Sequence, residues 1–260
     1  MTGGIVVRKC ETPQEFHACV DLQREVWKED PLEIEPATMF VVAANTGGQV
    51  LGAFDGPKLV AYVLAVVGLH HVTPYIHSHH AAVHADYRDR GIGRALKLFQ
   101  REEALSRGIR LIEWTFDPLE LRNAHFNLNR LGAICRQYRP NLYGITSSPL
   151  HRGIPTDRLI AQWWLDSHRV LAAARGEKLA PAGDAASAVE VPLALRRGEP
   201  VDSQRAVAAQ AAAREAFNKW FDHGYAVVAV RQTEQSGAYI LVPWNDAEQT
   251  PTEMKSRRDR

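Results

Sequence analysis

Apolar positions along this chain fall into two kinds of stretch. Period-two alternation and short continuous apolar runs read as strands, and 3.6-residue spacing reads as amphipathic helix. The β-branched run over residues 5–8 predicts a strand. Thr12-Pro13-Gln14-Glu15 then opens a helix, with a capping hydroxyl, a proline in the first turn and a glutamate placed to close a capping box. Phe16, Cys19, Val20, Val26 and Trp27 give that helix an apolar face to about residue 28. A short helix is expected over 36–44, ended by Asn45-Thr46-Gly47-Gly48. Residues 49–54 and 58–69, joined across Asp55-Gly56, predict a hairpin. Its second strand is apolar almost throughout, so it should be central and covered on both faces.

Next come a strand ending before Asp86, a turn, and a helix over 93–107. Ala95, Leu96, Phe99, Ala104 and Leu105 are expected to form the buried face of that helix, and Gly108 to stop it. Residues 110–117 alternate cleanly. Glu113, Thr115 and Asp117 share one face, and Ile112, Trp114 and Phe116 the other. A helix over 119–131 closed by Gly132, a strand over 133–138, a loop over 139–156 and a strand over 158–165 follow. Beyond them the pattern predicts a helix end, a Pro/Gly/Ala linker over 177–188, a strand over 189–195, a helix over 202–223, and strands over 225–231 and 238–242.

The turn carries the chemistry. A glycine-rich turn running into a helix N-terminus presents unpaired N–H groups and partial positive charge to an anion. Arg88, Arg90 and Arg94 add cations beside Gly91 and Gly93. Leu96 occupies the place of the third glycine of a dinucleotide fingerprint, and no Gly-Lys-Ser/Thr follows for a P-loop. What remains, Arg88-x-x-Gly91-x-Gly93, resembles the Q/R-x-x-G-x-G/A pyrophosphate loop of the GNAT acyltransferases. The order of elements over about residues 5–166 is also similar to that family. Trp114-Thr-Phe-Asp-Pro118, Arg122-Asn-Ala124, Leu131-Gly132-Ala133 and Asn141-Leu-Tyr-Gly144 look like a bacterial subgroup of it.

The resemblance implies an α/β fold, a central mixed twisted sheet flanked by helices, over residues 1–168. A helix end and linker over 169–188 would lead to a small β-α-β-β lobe over 189–245 and a polar tail over 246–260. That lobe has the look of a partial repeat: Arg214-Glu-Ala216 stands ten residues before Gly224, as Arg122-Asn-Ala124 stands before Gly132. The resemblance further implies acetyl-CoA as co-substrate and a peptide or small-molecule amine as acceptor. The backbone of Ala82, Val83 and His84 would pair with the pantetheine arm, one amide there meeting the oxyanion. Arg88, Asp89, Arg90, Gly91, Ile92, Gly93 and Arg94 would hold the pyrophosphate, and Asn123 is placed with the cofactor-binding residues.

Glu113 is the first candidate for general base, on a strand beside the expected cleft whose surroundings should raise its pKa; a solvated or ion-paired strand glutamate is the plain alternative. His84 is the second. Asp117 is read as a helix cap. The place where many family members carry a proton-donating tyrosine holds Leu128. Either Tyr138 or Tyr143 serves instead, or the thiolate leaves unassisted, or the protein binds acyl-CoA without catalysis. Six of the eleven histidines lie between His70 and His84. A metal is not expected among them, because His79 and His80 should point to opposite faces of a strand and no cysteine or clustered carboxylate accompanies them.

Composition bounds the rest. The 260 residues carry a net charge of +1, which gives no electrostatic reason to expect nucleic acid. Cys10, Cys19 and Cys135 are an odd set without C-x-x-C spacing, pointing to a reducing compartment. The longest apolar run is too short to span a bilayer, and no secretion signal is seen. The expectation is a cytoplasmic monomer or homodimer that does not engage a membrane.

Overall fold

The computed structural model of the protein describes residues 4–149, 153–179, 187–192, 203–232 and 236–245. The chain divides into two compact units, residues 1–113 with 146–150, and residues 114–145 with 151–260. The expected boundary over 169–188 therefore lies inside the second unit. None of the helices among the described residues is long and apolar enough to cross a membrane.

The first unit contains β1 (Val6–Lys9), α1 (Pro13–Trp27), α2 (Ala37–Asn45), β2 (Gln49–Asp55), β3 (Lys58–His70), β4 (Thr73–Val83), α3 (Ile92–Ser106) and the start of β5 (Leu111–Phe116). Its strands lie in the order β1-β2-β3-β4-β5. β1 to β4 pair antiparallel and β4 with β5 parallel, so the sheet is mixed. α1 starts with the expected capping box between Thr12 and Glu15. β3 is buried from Leu59 to Ala65, which confirms its central place.

Pairing assigns the two faces. Tyr62 and Leu64 pack with Phe16, Cys19, Val20 and Leu22 of α1 and Phe40 and Ala43 of α2. On the other face Gln49 and Ser78 bond to Gln100 of α3. The face of α3 that is buried is partly polar. Lys97, Gln100 and Arg101 are buried beside Ile92, Leu96 and Ala104, whereas Ala95 is exposed and Phe99 half-buried. Polar partners on β2 and β4 admit those side chains.

The register of β3 and β4 shifts between Leu64 and Ala65: Leu64 opposes His80, and Ala65 opposes Ser78. His79 is the extra residue of a β-bulge. Without it Ser78 and His80 would share a face. With it, Ser78 turns to α3 and His80 turns to the face covered by α1 and α2.

The second unit contains the end of β5, α4 (Leu121–His125), β6 (Ile134–Arg139), β7 (Arg158–Trp164), α5 (His168–Ala174), β8 (Ser187–Pro192), α6 (Ser203–Asp222), β9 (Tyr225–Gln232) and β10 (Ser236–Pro243). Here the order is β7-β6-β9-β10-β8. The single α-helix expected over 119–131 is instead α4 followed by a π-helical turn over Phe126–Arg130. The wide turn closes when Leu131 N–H donates to the Phe126 carbonyl. It leaves Leu128 fully buried, gives the Leu128 carbonyl to Arg169, and lets the Asn129 side chain accept from Val230 N–H. Gly132, at φ +78°, then turns the chain into β6.

The segment expected as a separate lobe shares the core of this unit. β9 pairs antiparallel with β6 at Cys135 and Val227. Phe217 is fully buried, 5.9 Å from the Tyr138 ring and 5.2 Å from the Tyr239 ring. Asp157, fully buried, accepts from Tyr138 at 2.7 Å and from Arg214 at 2.8 Å. The strand expected over 189–195 is observed as β8; its final residues and the polar tail over 246–260 lie outside the described residues.

Candidate functional site

The turn between β4 and α3 is built for an anion. Asp89 at φ +62° and Gly91 at φ +78° reverse the chain, and Gly91 starts α3 with no side-chain cap on the helix N-terminus. The first-turn amides therefore face outward with the positive end of the helix dipole. Gly91 has open space where a Cβ would stand. Its requirement is thus the left-handed backbone itself, which a branched side chain adopts only with strain. Ile92 is buried and anchors the helix start, while Arg88 and Arg90 are exposed. Arg88 Nε donates to the Val83 carbonyl at 3.3 Å, and the Arg90 guanidinium sits 5.1 Å from the Tyr87 ring centre. Tyr87 in turn donates to Asp55 at 2.8 Å.

β4 pairs with β5 only at Ile76–Ile112 and His77–Glu113. From Ser78 to Val83 it has no strand partner on that side among the described residues. The hydrogen-bond alternation of the other edge decides which amides face the opening. His84 N–H donates to the Val60 carbonyl at 2.9 Å. By antiparallel alternation the Ala82 amide also points to β3, and those of Ala81 and Val83 point away from it. Of the expected trio, Val83 alone offers an outward amide, joined by Ala81, which the sequence reading did not single out.

His84 is corrected in its side chain as well. Its Nδ1 accepts from Asp86 N–H at 3.2 Å, capping the turn, and its Nε2 meets Glu25 at 3.3 Å. Both ring nitrogens are engaged, which removes the free lone pair a base needs.

Glu113 is buried, 6% exposed, and its Oε2 accepts from His70 Nε2 at 2.9 Å. His70 is about half exposed and stacks on Tyr75, the ring centres 4.2 Å apart. Glu113 is opposed in register by His77. Burial, then His79, keep the His77 imidazole below its ordinary value, and Glu113 opposes them.

The expectation that His79 and His80 face opposite ways is overturned by the bulge. Their rings stack at 4.1 Å with 17° between planes. Glu35, which the sequence reading passed over, joins them through a 3.0 Å bond to His79 Nε2.

In the second unit, Tyr138 is buried and its hydroxyl donates to Asp157; burial, then that bond, push its pKa well up. Tyr143 is 45% exposed, its hydroxyl 3.0 Å from that of Thr115, with the Arg158 guanidinium 5.6 Å from its ring centre. Asn123 is exposed on α4. Asp117 accepts from Leu119 N–H at 2.8 Å, a local turn ahead of α4; the helix itself has Glu120 at its N-cap and no side-chain cap, so the expected capping role is not the one observed.

Residues 13–132 match the model of the acetyltransferase (GNAT) family. No curated protein matches the chain in sequence. Among solved structures, a putative acetyltransferase of the GNAT family from Desulfovibrio desulfuricans is 16% identical at a TM-score of 0.51, over 62% of this chain and 99% of that one. NAA60 from Arabidopsis thaliana, in complex with acetyl-CoA, is 14% identical at 0.51, again over 62% and 99%. A chain of the NatC complex bound to Gag peptide and CoA is 13% identical at 0.50, over 61% and 96%. At such identities the likeness is one of fold. The family match takes in α1 to α4, with the mixed sheet and the uncapped glycine turn between them, so residues 13–132, a little under half of the chain, carry the likeness to the GNAT family.

Proposed function

We propose that the protein moves an acyl group from CoA to an amine acceptor. The observation that carries this is the uncapped N-terminus of α3, entered through left-handed Asp89 and Gly91 and flanked by arginines, directly after the open edge of β4. CoA supplies the acyl group as an activated thioester. The α3 amides with Arg88, Arg90 and Arg94 hold its diphosphate. Ala81 and Val83 offer amides to the arm that follows the edge of β4, and such donors favour a carbonyl oxygen on which charge is building. An arm running from the loop back along β4 brings the reacting end toward His77 and Glu113. Glu113 takes the proton of the attacking amine, and His70, bonded to it and half exposed, passes that proton to water. Of the two tyrosines expected as proton donors, Tyr138 has its hydroxyl committed to Asp157, and Tyr143 is the more exposed.

A second reading, acyl-CoA binding without turnover, is favoured by Leu128, fully buried where a donor is expected from the family resemblance. One pair of measurements separates the two. Calorimetric titration with CoA should show the wild type binding and Gly91→Val binding at least tenfold more weakly, about 1.4 kcal/mol, with the circular dichroism spectrum unchanged. Equal affinity in a folded variant removes the loop and with it the proposal. Thiol release from acetyl-CoA with a panel of amines then decides turnover; CoA binding without release by any amine hands the lead to the non-catalytic reading.

A further inference from the structure

We propose that Glu35, His79 and His80 form a binding site for one divalent transition-metal ion of the zinc, cobalt and nickel class. Each residue brings one ligand atom, and the three atoms lie within 4.8 Å of one another. Tetrahedral coordination at about 2.0–2.1 Å from the metal sets such atoms roughly 3.3 Å apart. The His79–Glu35 pair already stands at 3.0 Å, and the two imidazoles, stacked with their in-plane lone pairs nearly parallel, turn about their side-chain torsions to converge on one ion. Two imidazoles with one carboxylate suit zinc, cobalt or nickel, and not the oxygen-seeking calcium or magnesium.

Two independent features support a ligand here. The bulge at His79 is what brings adjacent strand residues to one side; a regular strand would part them. His80 Nδ1 is buried with no hydrogen-bond partner, and its ring is held against Trp27 at 4.9 Å. Buried polar atoms are nearly always satisfied, so this nitrogen is an exception that a ligand would account for. Water would complete the coordination.

An ion here would tie β4 to the connector between α1 and α2. The test uses the full chain without a histidine tag. Equilibrium dialysis against Zn²⁺ should give one ion per chain, and Co²⁺ should develop the visible absorption of a four- or five-coordinate site. Glu35→Gln and His79→Gln should each weaken Zn²⁺ binding at least tenfold, and His17→Gln, on the exposed face of α1, should leave it unchanged. Both ligand variants alter part-exposed side chains; if His79→Gln fails to fold, Glu35→Gln decides. Zn²⁺ binding that survives Glu35→Gln puts the ion elsewhere among the histidines and overturns the assignment. No binding to the wild type makes the trio an ion pair only. Neither readout depends on acyl transfer.

Discussion

Glu113 shows how much a single side chain owes to its neighbours. Its position in the alternating strand was plain, and the strand's apolar partners Ile112, Trp114 and Phe116 are buried as the alternation requires. Its bond to His70 joins residues 43 apart and has no local signature. That bond shapes the expected outcome of Glu113→Gln. The amide keeps the volume and one oxygen acceptor for His70 but cannot take a proton. Turnover should fall 10²–10⁴-fold, the usual worth of a general base, with CoA affinity within about twofold and the acidic limb of the pH–rate profile lost. Full turnover in the variant puts the base elsewhere. His84→Ala should then change little, since both its ring nitrogens are already bonded.

At the scale of the element, α3 is the instructive case. Its end followed from Gly108 and its start was read one residue late, at Gly93, but its buried face was misjudged, because Lys97 is 5% exposed and donates to Gln100 at 2.7 Å and to Ser78 at 3.2 Å. Burial brings the Lys97 ammonium down from 10.5 to about 7. In the unfolded chain the same group keeps its proton up to 10.5, so between these values the unfolded state binds more protons than the folded one. Stability from this group therefore rises with pH across about 7 to 10.5, by at most about 1.4 kcal/mol per pH unit. Chemical denaturation of the wild type and Lys97→Gln at about pH 7 and pH 9 should show the wild type gaining relative to the variant. A constant difference would mean that Lys97 keeps its proton in the fold.

On the scale of the whole molecule, the second unit holds the C-terminal segment as part of one core. β9 covers the edge of β6, Arg214 bonds buried Asp157, and Tyr239 donates to the Pro118 carbonyl at 2.6 Å. Phe217, Trp220, Phe221, Tyr225 and Trp244 are more aromatic surface than a small detached lobe can hide. Truncation after Gly176 would bare β6, strand Asp157 and expose Tyr138. The expected result is aggregation, read by light scattering, or a melting temperature several degrees lower. A monomeric truncation that melts where the full chain does would show the segment to be dispensable.

By itself the sequence determined whatever is settled within a few residues. The capping box at Thr12, the stops at Gly108, Gly132 and Gly224, the burial of β3 and the glycine turn before α3 all follow from local backbone preference and hydrophobic period. Those are the features from which the order of elements, and the family, were legible. The bulge at His79 was not, because it exists only in the pairing of β4 with β3; one extra residue reverses which face each side chain meets. The same holds for polar groups in the core. Nothing local marks Lys97 or Asp157 as buried or pairs Glu113 with His70; Ser78, Arg214 with Tyr138, and His70 are brought to them from 19 or more residues away. The π turn is likewise fixed by Arg169 and β9, which lie far along the chain. A buried charge is tolerable only where a partner waits for it, and only the tertiary structure decides where the partners are.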